Sequence, residues 1–413
     1  MKLDVQVCNR TVAKLYRESD EYVLSYPPDA DPADFVSLTM PVRAEPWRWP
    51  RDLHPFFRQN LPEGYLLSII REEFGPLLDG TDLSLLAVVG GMGVGRVTVT
   101  PEGVMPGGNM APKFIAPEAN LDASALGKPT LRTSLHIIKG SDDSTPYLGF
   151  NEFYAMRVLE RLNAVPVART RMSEDGRVLI VDRFDVDAQG VVTHGVEDAC
   201  GLLGLPPHEK YATTTERVLN ATRVYVPAAN MRAQLEQFGW HLLSNYVLRN
   251  ADCHAKNIAL YYTDLKDVAH TPLYDVVTTQ AYLRYAVNPP GLSVDGRQTW
   301  AVGKTLERFF KARLGIAPRQ YAEMVECLCE SAVEVGREVI EAARNESRWH
   351  TVAKHMVHAW NDGMASLRSS KSFVVFRRLD EAIVRAGFSE PDTPENDRGV
   401  TDGSELMGRP RKR

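Results

Sequence analysis

In RNADCHAKNIAL, residues 249–260, Asn250, Asp252, His254, Lys256 and Asn257 fall within eight positions between two apolar segments. Asp252 and Asn257 stand five apart, and a further aspartate, Asp275, follows in LYDVV. Phosphoryl transfer asks for such a set. It needs a base for the attacking hydroxyl, oxygen ligands for a metal ion, a lysine on the phosphates and a carboxylate to hold that lysine. Asp252 suits the base. Asn257 offers a neutral oxygen and Asp275 a charged one, the donors that the hard cation Mg²⁺ prefers. Lys139 ends the apolar run LHIIK. Glu152, thirteen residues later, lies one and two turns before Met156 and Leu159 on the inward stripe of FNEFYAMRVLERLN. An unpaired carboxylate on that stripe would be costly, so Glu152 calls for a cation, and Lys139 is the nearest one. A solvated turn and a snorkelling lysine explain each feature singly but not the whole arrangement.

The elements that must position these residues can be read from periodicity. MRAQLEQFGWHLLSNYVL, just before the polar cluster, carries Leu235, Phe238, Leu242 and Tyr246 at near-helical spacing, which predicts a buried helix. After the cluster, IALYY, the turn TDLKD and VAHTPLYD read as a hairpin. The cluster is therefore expected as a loop fixed at both ends by rigid elements. Upstream, SLHIIK reads as a strand, followed by the Glu152 helix and by strands around VARTRM and RVLIVDRF across the turn SEDG. Strands near VQVCN and YVLSY, a helix within LHPFFRQNLPEGYLLSIIREEFG and a strand in GRVTVT make residues 1–104 a small α+β unit. PRQYAEMVECLCESAVEVGREVIEAARN reads as a long packing helix. GGMGVG, residues 90–95, resembles a dinucleotide loop but leads into a strand, whereas such a loop must open a helix.

Composition sets the outer limits. The chain has 413 residues, 44% hydrophobic and 24% charged, which fits two or three ordinary domains rather than a disordered chain. No signal-peptide core or membrane-length apolar run is present, so a cytoplasmic protein without membrane contact is expected. Its five cysteines are scattered without a CxxC pair, which argues against a disulfide framework or a zinc ribbon. A net charge of −5 gives no global attraction to nucleic acid, although the chain ends in the basic RPRKR.

Taken in order, NLPEGYLLSIIREEFG, VGRVTVTPEG, HIIK, NEFYAMRVLERL, VDRFD, NADCHAKN and LYDVV resemble the HipA family of serine/threonine kinases, toxins of HipA/HipB toxin–antitoxin pairs. The interval from Asp252 to Asn257 is also the D-x-x-x-x-N of the protein-kinase catalytic loop. The resemblance implies an α+β, protein-kinase-like two-lobed fold: an N-terminal subdomain over 1–104, an N-lobe-like region over 105–190 and a mainly helical C-lobe over 191–390; beyond it, composition leads us to expect a flexible basic tail over 391–413. It implies ATP and Mg²⁺ as cofactors and a protein substrate, in the family typically an aminoacyl-tRNA synthetase. It also implies a HipB-like helix-turn-helix antitoxin as partner and, through it, operator DNA. By resemblance, Asp252 is the catalytic base, Asn257 and Asp275 hold the metal, and Lys139 is the ATP lysine supported by Glu152. Asp182, Arg183 and Phe184 match the hinge beside adenine, while His254, Lys256 and Tyr274 border the nucleotide.

One segment departs from the family pattern. The phosphate loop, usually S-x-x-G-x-Q-x-K, reads MPGGNMAPK here; it keeps Gly108 and Lys113 but has no serine or threonine between Thr100 and Ser124. The self-phosphorylation switch of that loop is therefore expected to be missing or moved. A catalytically weak module that binds nucleotide and antitoxin, and a small-molecule kinase, are the alternatives to a protein kinase.

Overall fold

The computed structural model describes residues 1–61, 67, 75, 78–104, 130–300, 303–367 and 378–388. Gly108, Lys113, the rest of the phosphate loop and the basic tail lie outside these residues, as does most of the segment 62–77.

The N-terminal residues around the expected strand VQVCN fold as a hairpin. β1 (Lys2–Val7) and β2 (Arg10–Glu18) pair antiparallel, with Val7 opposite Arg10. Cys8 and Asn9 make the turn at φ 48° and 64°. Positive φ at both turn residues matches the right-handed twist of the strands, and asparagine tolerates it well. β3 (Glu21–Ser25), β4 (Trp47–Pro50) and β5 (Val97–Pro101) complete a sheet of order β4-β3-β2-β1-β5. Two helices, α1 (Pro55–Arg58) and α2 (Asp82–Val89), cover it, and Leu3, Val5, Leu15, Phe56 and Leu86 share its core. GGMGVG closes α2 and leads into β5, as expected of a segment that opens no helix.

A second antiparallel sheet, order β6-β7-β9-β8, comprises β6 (Thr130–Arg132), β7 (His136–Gly140), β8 (Thr170–Met172) and β9 (Val178–Asp182). Helix α3 (Leu148–Leu162) packs on it and stops at Asn163 in the left-handed conformation, a common helix end. Gly149 sets the approach. A Cβ there would lie 2.8 Å from the Val178 carbonyl carbon and 2.9 Å from the Gly176 oxygen, so only glycine lets the first turn of α3 sit on the β8–β9 turn. The Phe150 amide then donates to the Gly176 carbonyl at 2.9 Å.

The remainder is mainly helical: α4 (Ala199–Leu203), α5 (Thr215–Tyr225), α6 (Met231–Val247), α7 (Gly303–Phe309), α8 (Pro318–Asn345), α9 (His350–Leu367) and α10 (Asp380–Ala386). A small sheet of β10 (Gly195–Asp198), β11 (Ala259–Tyr262) and β12 (Ala269–His270) interrupts the helices, and β11 and β12 form the expected hairpin. One hydrophobic core runs from α3 and β9 through α6, α8 and α9. Gly363 of α9 abuts the end of α6 so closely that a Cβ would fall 2.0 Å from the Val247 carbonyl oxygen. The polar cluster thus leaves a helix end that cannot shift. No helix among the described residues is long and apolar enough to cross a membrane.

Candidate active site

Lys139 lies near the end of β7, paired across the sheet with Leu179 and Thr130. Its ammonium bonds to two carboxylates: Glu152 Oε1 at 2.7 Å and Asp275 Oδ1. The Lys139–Glu152 pair expected from the helix stripe is therefore present, and Asp275 joins it from 136 residues away in sequence. Glu152 is buried on α3, whereas a third of the Asp275 side chain is exposed. Burial works against the Lys139 charge, but Asp275 and Glu152 outweigh it and hold the lysine above its ordinary pKa. Lys139 therefore stays cationic at any physiological pH.

The loop between α6 and β11 is braced from inside. Arg249 takes φ 55°, and its guanidinium donates to the Asp362 carbonyl at 2.9 Å. Asn250 donates to Asn245 Oδ1 at 2.8 Å and to the Asp275 carbonyl at 3.4 Å, while its own Oδ1 accepts from the Asp252 amide at 3.0 Å. A single buried amide thus ties the backbones of both aspartates together. Thr279 accepts from the Ala251 amide at 2.9 Å and donates to the Arg249 carbonyl at 2.8 Å. On the other side, Asn151 exchanges two 2.9 Å bonds with the backbone of Thr278. The segment after Asp275 is thereby fastened to α3, next to Glu152.

Asn257 closes the short 3-10 turn Ala255–Asn257 and donates from Nδ2 to the Asp252 carbonyl at 3.2 Å. This bond fixes its amide and leaves Oδ1 as the atom available to a cation. Asp275 sits at φ 58°, a strained but tolerable conformation for aspartate. Asp252 is partly exposed and accepts a hydrogen bond from the Tyr211 hydroxyl; His254 Nε2 stands 3.8 Å from the same carboxylate oxygen. Tyr274 donates to the Lys256 carbonyl at 2.9 Å, so the 3-10 turn is held to the segment that leads to Asp275. Cys253, within the loop, is unsuited to be a nucleophile: burial first, then the charges of Asp252 and Asp275, push its thiol well above the ordinary value.

Ion pairs and hydrogen bonds thus join Lys139, Glu152 and Asp275 directly, tie Asp275 to Asp252 through Asn250, and hold Asn257, His254, Tyr274 and the Lys256 backbone to the same loop. The hinge residues are disposed differently. Asp182 faces Arg171 at 2.9 Å and His136 at 3.5 Å. Arg183 is buried in a bidentate pair with Asp185, at 3.0 and 2.6 Å, and also donates to the Thr133 carbonyl. Phe184 packs against Tyr274, another expected site residue, with ring centroids 5.7 Å apart. Sequence reasoning missed Asn151, Asn245, Thr278, Thr279 and Tyr211. An amide beside Glu152 on an apolar helix face was the one local signal for Asn151; the others had none.

Comparisons with known proteins agree with this architecture. Residues 3–100 match the family model of the HipA N-terminal domain, and residues 106–336 match that of the HipA-like C-terminal domain. "Putative kinase Y4mE" of Sinorhizobium fredii is 28% identical over 297 residues, covering 60% of this chain and 69% of that protein. "Putative kinase Y4dM" of the same organism is 25% identical over 264 residues, covering 55% of this chain and 63% of that protein. Among solved structures, a chain of the Shewanella oneidensis MR-1 toxin–antitoxin complex of HipA, HipB and operator DNA superposes with a TM-score of 0.64 at 19% identity, covering 90% of this chain and 98% of that one. The fold is accordingly the two-lobed, protein-kinase-like α+β fold.

Proposed function

Because the chain belongs to the HipA family, we propose that it is a kinase of HipA type, which transfers the γ-phosphate of ATP to a serine or threonine of a cellular protein with the help of Mg²⁺. The observation that carries this reading is the convergence of Lys139, Glu152 and Asp275 beside the braced Asp252 loop. A lysine held between two carboxylates at a cleft has little purpose as packing, since a buried ion pair adds little net stability over apolar residues. It does suit a site that must receive phosphate and metal charge.

The donor set fits the implied groups. Among the described residues no three His, Cys, Asp or Glu side chains form a metal cage. Asp275 and Asn257 would hold the ion together with the phosphates, the partial coordination that Mg²⁺ accepts. When bound, the ion neutralises charge on the phosphates. Lys139, oriented by Glu152, contacts the phosphates, and Asp252 takes the proton of the attacking hydroxyl. Gly108 and Lys113 belong, in this reading, to the phosphate loop, and Asp182, Arg183, Phe184, His254 and Tyr274 border the nucleoside. We assign 1–104, 105–190 and 191–390 to the N-terminal subdomain, the N-lobe-like region and the C-lobe.

The substrate in this reading is a protein, an aminoacyl-tRNA synthetase among the candidates, and the chain is the toxin of a pair with a HipB-like antitoxin that bridges to operator DNA. Two measurements, one on the purified chain and one in cells, test it. ATP titrations with and without Mg²⁺ should show metal-dependent binding, and phosphoproteomics after induction should show new phosphoserine or phosphothreonine absent with the Asp252→Asn variant. Tight ATP binding without any transfer would leave a nucleotide-binding interaction module instead.

A further inference from the structure

We propose that Tyr211 is an intramolecular phosphoacceptor, a tyrosine placed on the chain's own catalytic base; the proposal rests on the kinase reading of Asp252 given above. The Tyr211 hydroxyl donates directly to Asp252 Oδ1. A general base must lie within hydrogen-bond reach of the proton it removes, and in a kinase that proton belongs to the hydroxyl about to be phosphorylated. Tyr211 therefore stands where an acceptor hydroxyl stands.

The placement is built into the fold. The Lys210 carbonyl accepts from the amide of Ala255, within the catalytic loop, at 3.0 Å, which pins the chain beside Tyr211 to that loop. The phenol ring meets His254 edge-on, with centroids 4.9 Å apart. Flanking turns hold the segment as well: the Lys210 amide donates to the Pro207 carbonyl and the Ala212 amide to the Glu209 carbonyl. Tyr211 is half-buried and the Asp252 side chain is 23% exposed, so the pair is reached by solvent rather than sealed in the core.

In the reaction, Tyr211 Oη forms a bond to the γ-phosphorus of ATP while its proton passes to Asp252. The bond between that phosphorus and the bridging oxygen breaks, ADP leaves with the electron pair, and Asp252 returns the proton to solvent. The product places about −1.5 to −2 charges next to the Asp252 carboxylate. Lys210, whose Nζ lies 5.7 Å from the Tyr211 ring centroid, is a neighbouring cation. A modified Tyr211 would keep the base engaged with its own product, and phosphate transfer to other acceptors would fall. This gives the chain a self-modification site that does not depend on the segment 101–123, which has no serine or threonine.

The test has a nucleotide-free arm and a nucleotide arm on the full chain. With ¹³Cζ-tyrosine labelling and no nucleotide, the resonance that Tyr211→Phe removes should shift in Asp252→Asn; a resonance unmoved by that variant overturns the contact and the proposal with it. With Mg²⁺ and ATP, peptide mass spectrometry should place phosphate on Tyr211, approaching one per chain, at a first-order rate independent of chain concentration and absent in Asp252→Asn. ADP release without phosphate on Tyr211, or with phosphate on another hydroxyl, overturns the proposal and leaves the kinase reading standing. No ADP release at all removes both. A rate proportional to chain concentration rules out the intramolecular step.

Discussion

Glu152 and Glu197 are both buried glutamates on regular elements, the first on α3 under the β6–β9 sheet and the second on β10, facing the segment between β3 and β4. The fold treats them in opposite ways. Glu152 meets a cation, the Lys139 ammonium, which it shares with Asp275. Glu197 meets neutral donors: the Ser37 hydroxyl at 2.8 Å, the Leu38 amide at 2.5 Å and the Tyr262 hydroxyl at 2.7 Å. Burial dominates at Glu197 and pushes its pKa up to about 7, against the pull of those three donors. Nearby, the Arg96 guanidinium lies over the rings of Phe35 and Tyr262, at 4.2 and 5.2 Å, and donates to the Phe35 and Thr263 carbonyls. Glu197 and Arg96 therefore join the segment between β3 and β4 to the β10–β11 strands by packing and hydrogen bonding. Glu152 instead pairs with a cation that it shares with a partly exposed carboxylate. A buried carboxylate paired with a cation beside a second, partly exposed carboxylate marks a place where charge is used; one whose ionisation is penalised marks a joint.

The sharpest way to break this comparison is to remove the cation. Lys139→Met would leave Glu152 buried without its partner, and losing one member of a buried pair costs about 3–5 kcal/mol. Chemical denaturation should show that loss, and ATP binding should disappear with it. Adding Glu152→Gln to Lys139→Met should restore part of the stability but none of the binding, since the two residues couple in folding while only the lysine contacts phosphate. A Lys139→Met chain as stable as the wild type would mean that Glu152 is not held as a charge.

The two aspartates should separate by function. Asp252→Asn keeps the metal ligands and is expected to lower phosphate transfer by roughly a hundredfold or more while nucleotide affinity stays near wild type. Asp275→Asn removes the charged ligand, so Mg²⁺-dependent nucleotide binding and transfer should fail together. Paired titrations and transfer assays distinguish the two. Wild-type transfer in both variants would end the kinase reading.

The sequence revealed those contacts that local pattern encodes. Lys139 and Glu152 sit on consecutive elements, and helical periodicity alone put Glu152 on the buried face. Asp252, Asn257 and Asp275 were visible from their spacing around a helix and a hairpin, both of which the structure contains. What stayed hidden were contacts between segments far apart in the chain: Lys139 with Asp275, Tyr211 with Asp252 at 41 residues, and Glu197 with Ser37 at 160 residues. Each depends on how whole elements dock, and tyrosine, serine and glutamate at those positions have ordinary neighbours in sequence. The N-terminal hairpin illustrates the same limit at short range. Alternation breaks at Cys8, where three polar residues, Asn9, Arg10 and Thr11, follow in a row, but it is the backbone geometry that fixes the turn at Cys8 and Asn9.

The joint itself can be probed through pH. In the folded chain Glu197 keeps its proton up to about pH 7, whereas the unfolded chain releases it near 4.5. Between those values the folded state binds more protons, so this residue's contribution to stability falls as pH rises through the window and stays low above it. Glutamine keeps the carbonyl oxygen that accepts from Leu38 and Tyr262 and presents its amide to Ser37, whose hydroxyl can turn to accept. Glu197→Gln should therefore change stability little at pH 5 and raise it at pH 8, by roughly 1–3 kcal/mol relative to the wild type. Denaturation curves for both chains at the two pH values measure the difference directly. If the wild type and the variant lose stability in parallel from pH 5 to pH 8, Glu197 titrates as an ordinary carboxyl, and the contrast drawn with Glu152 fails at this end rather than at the cleft.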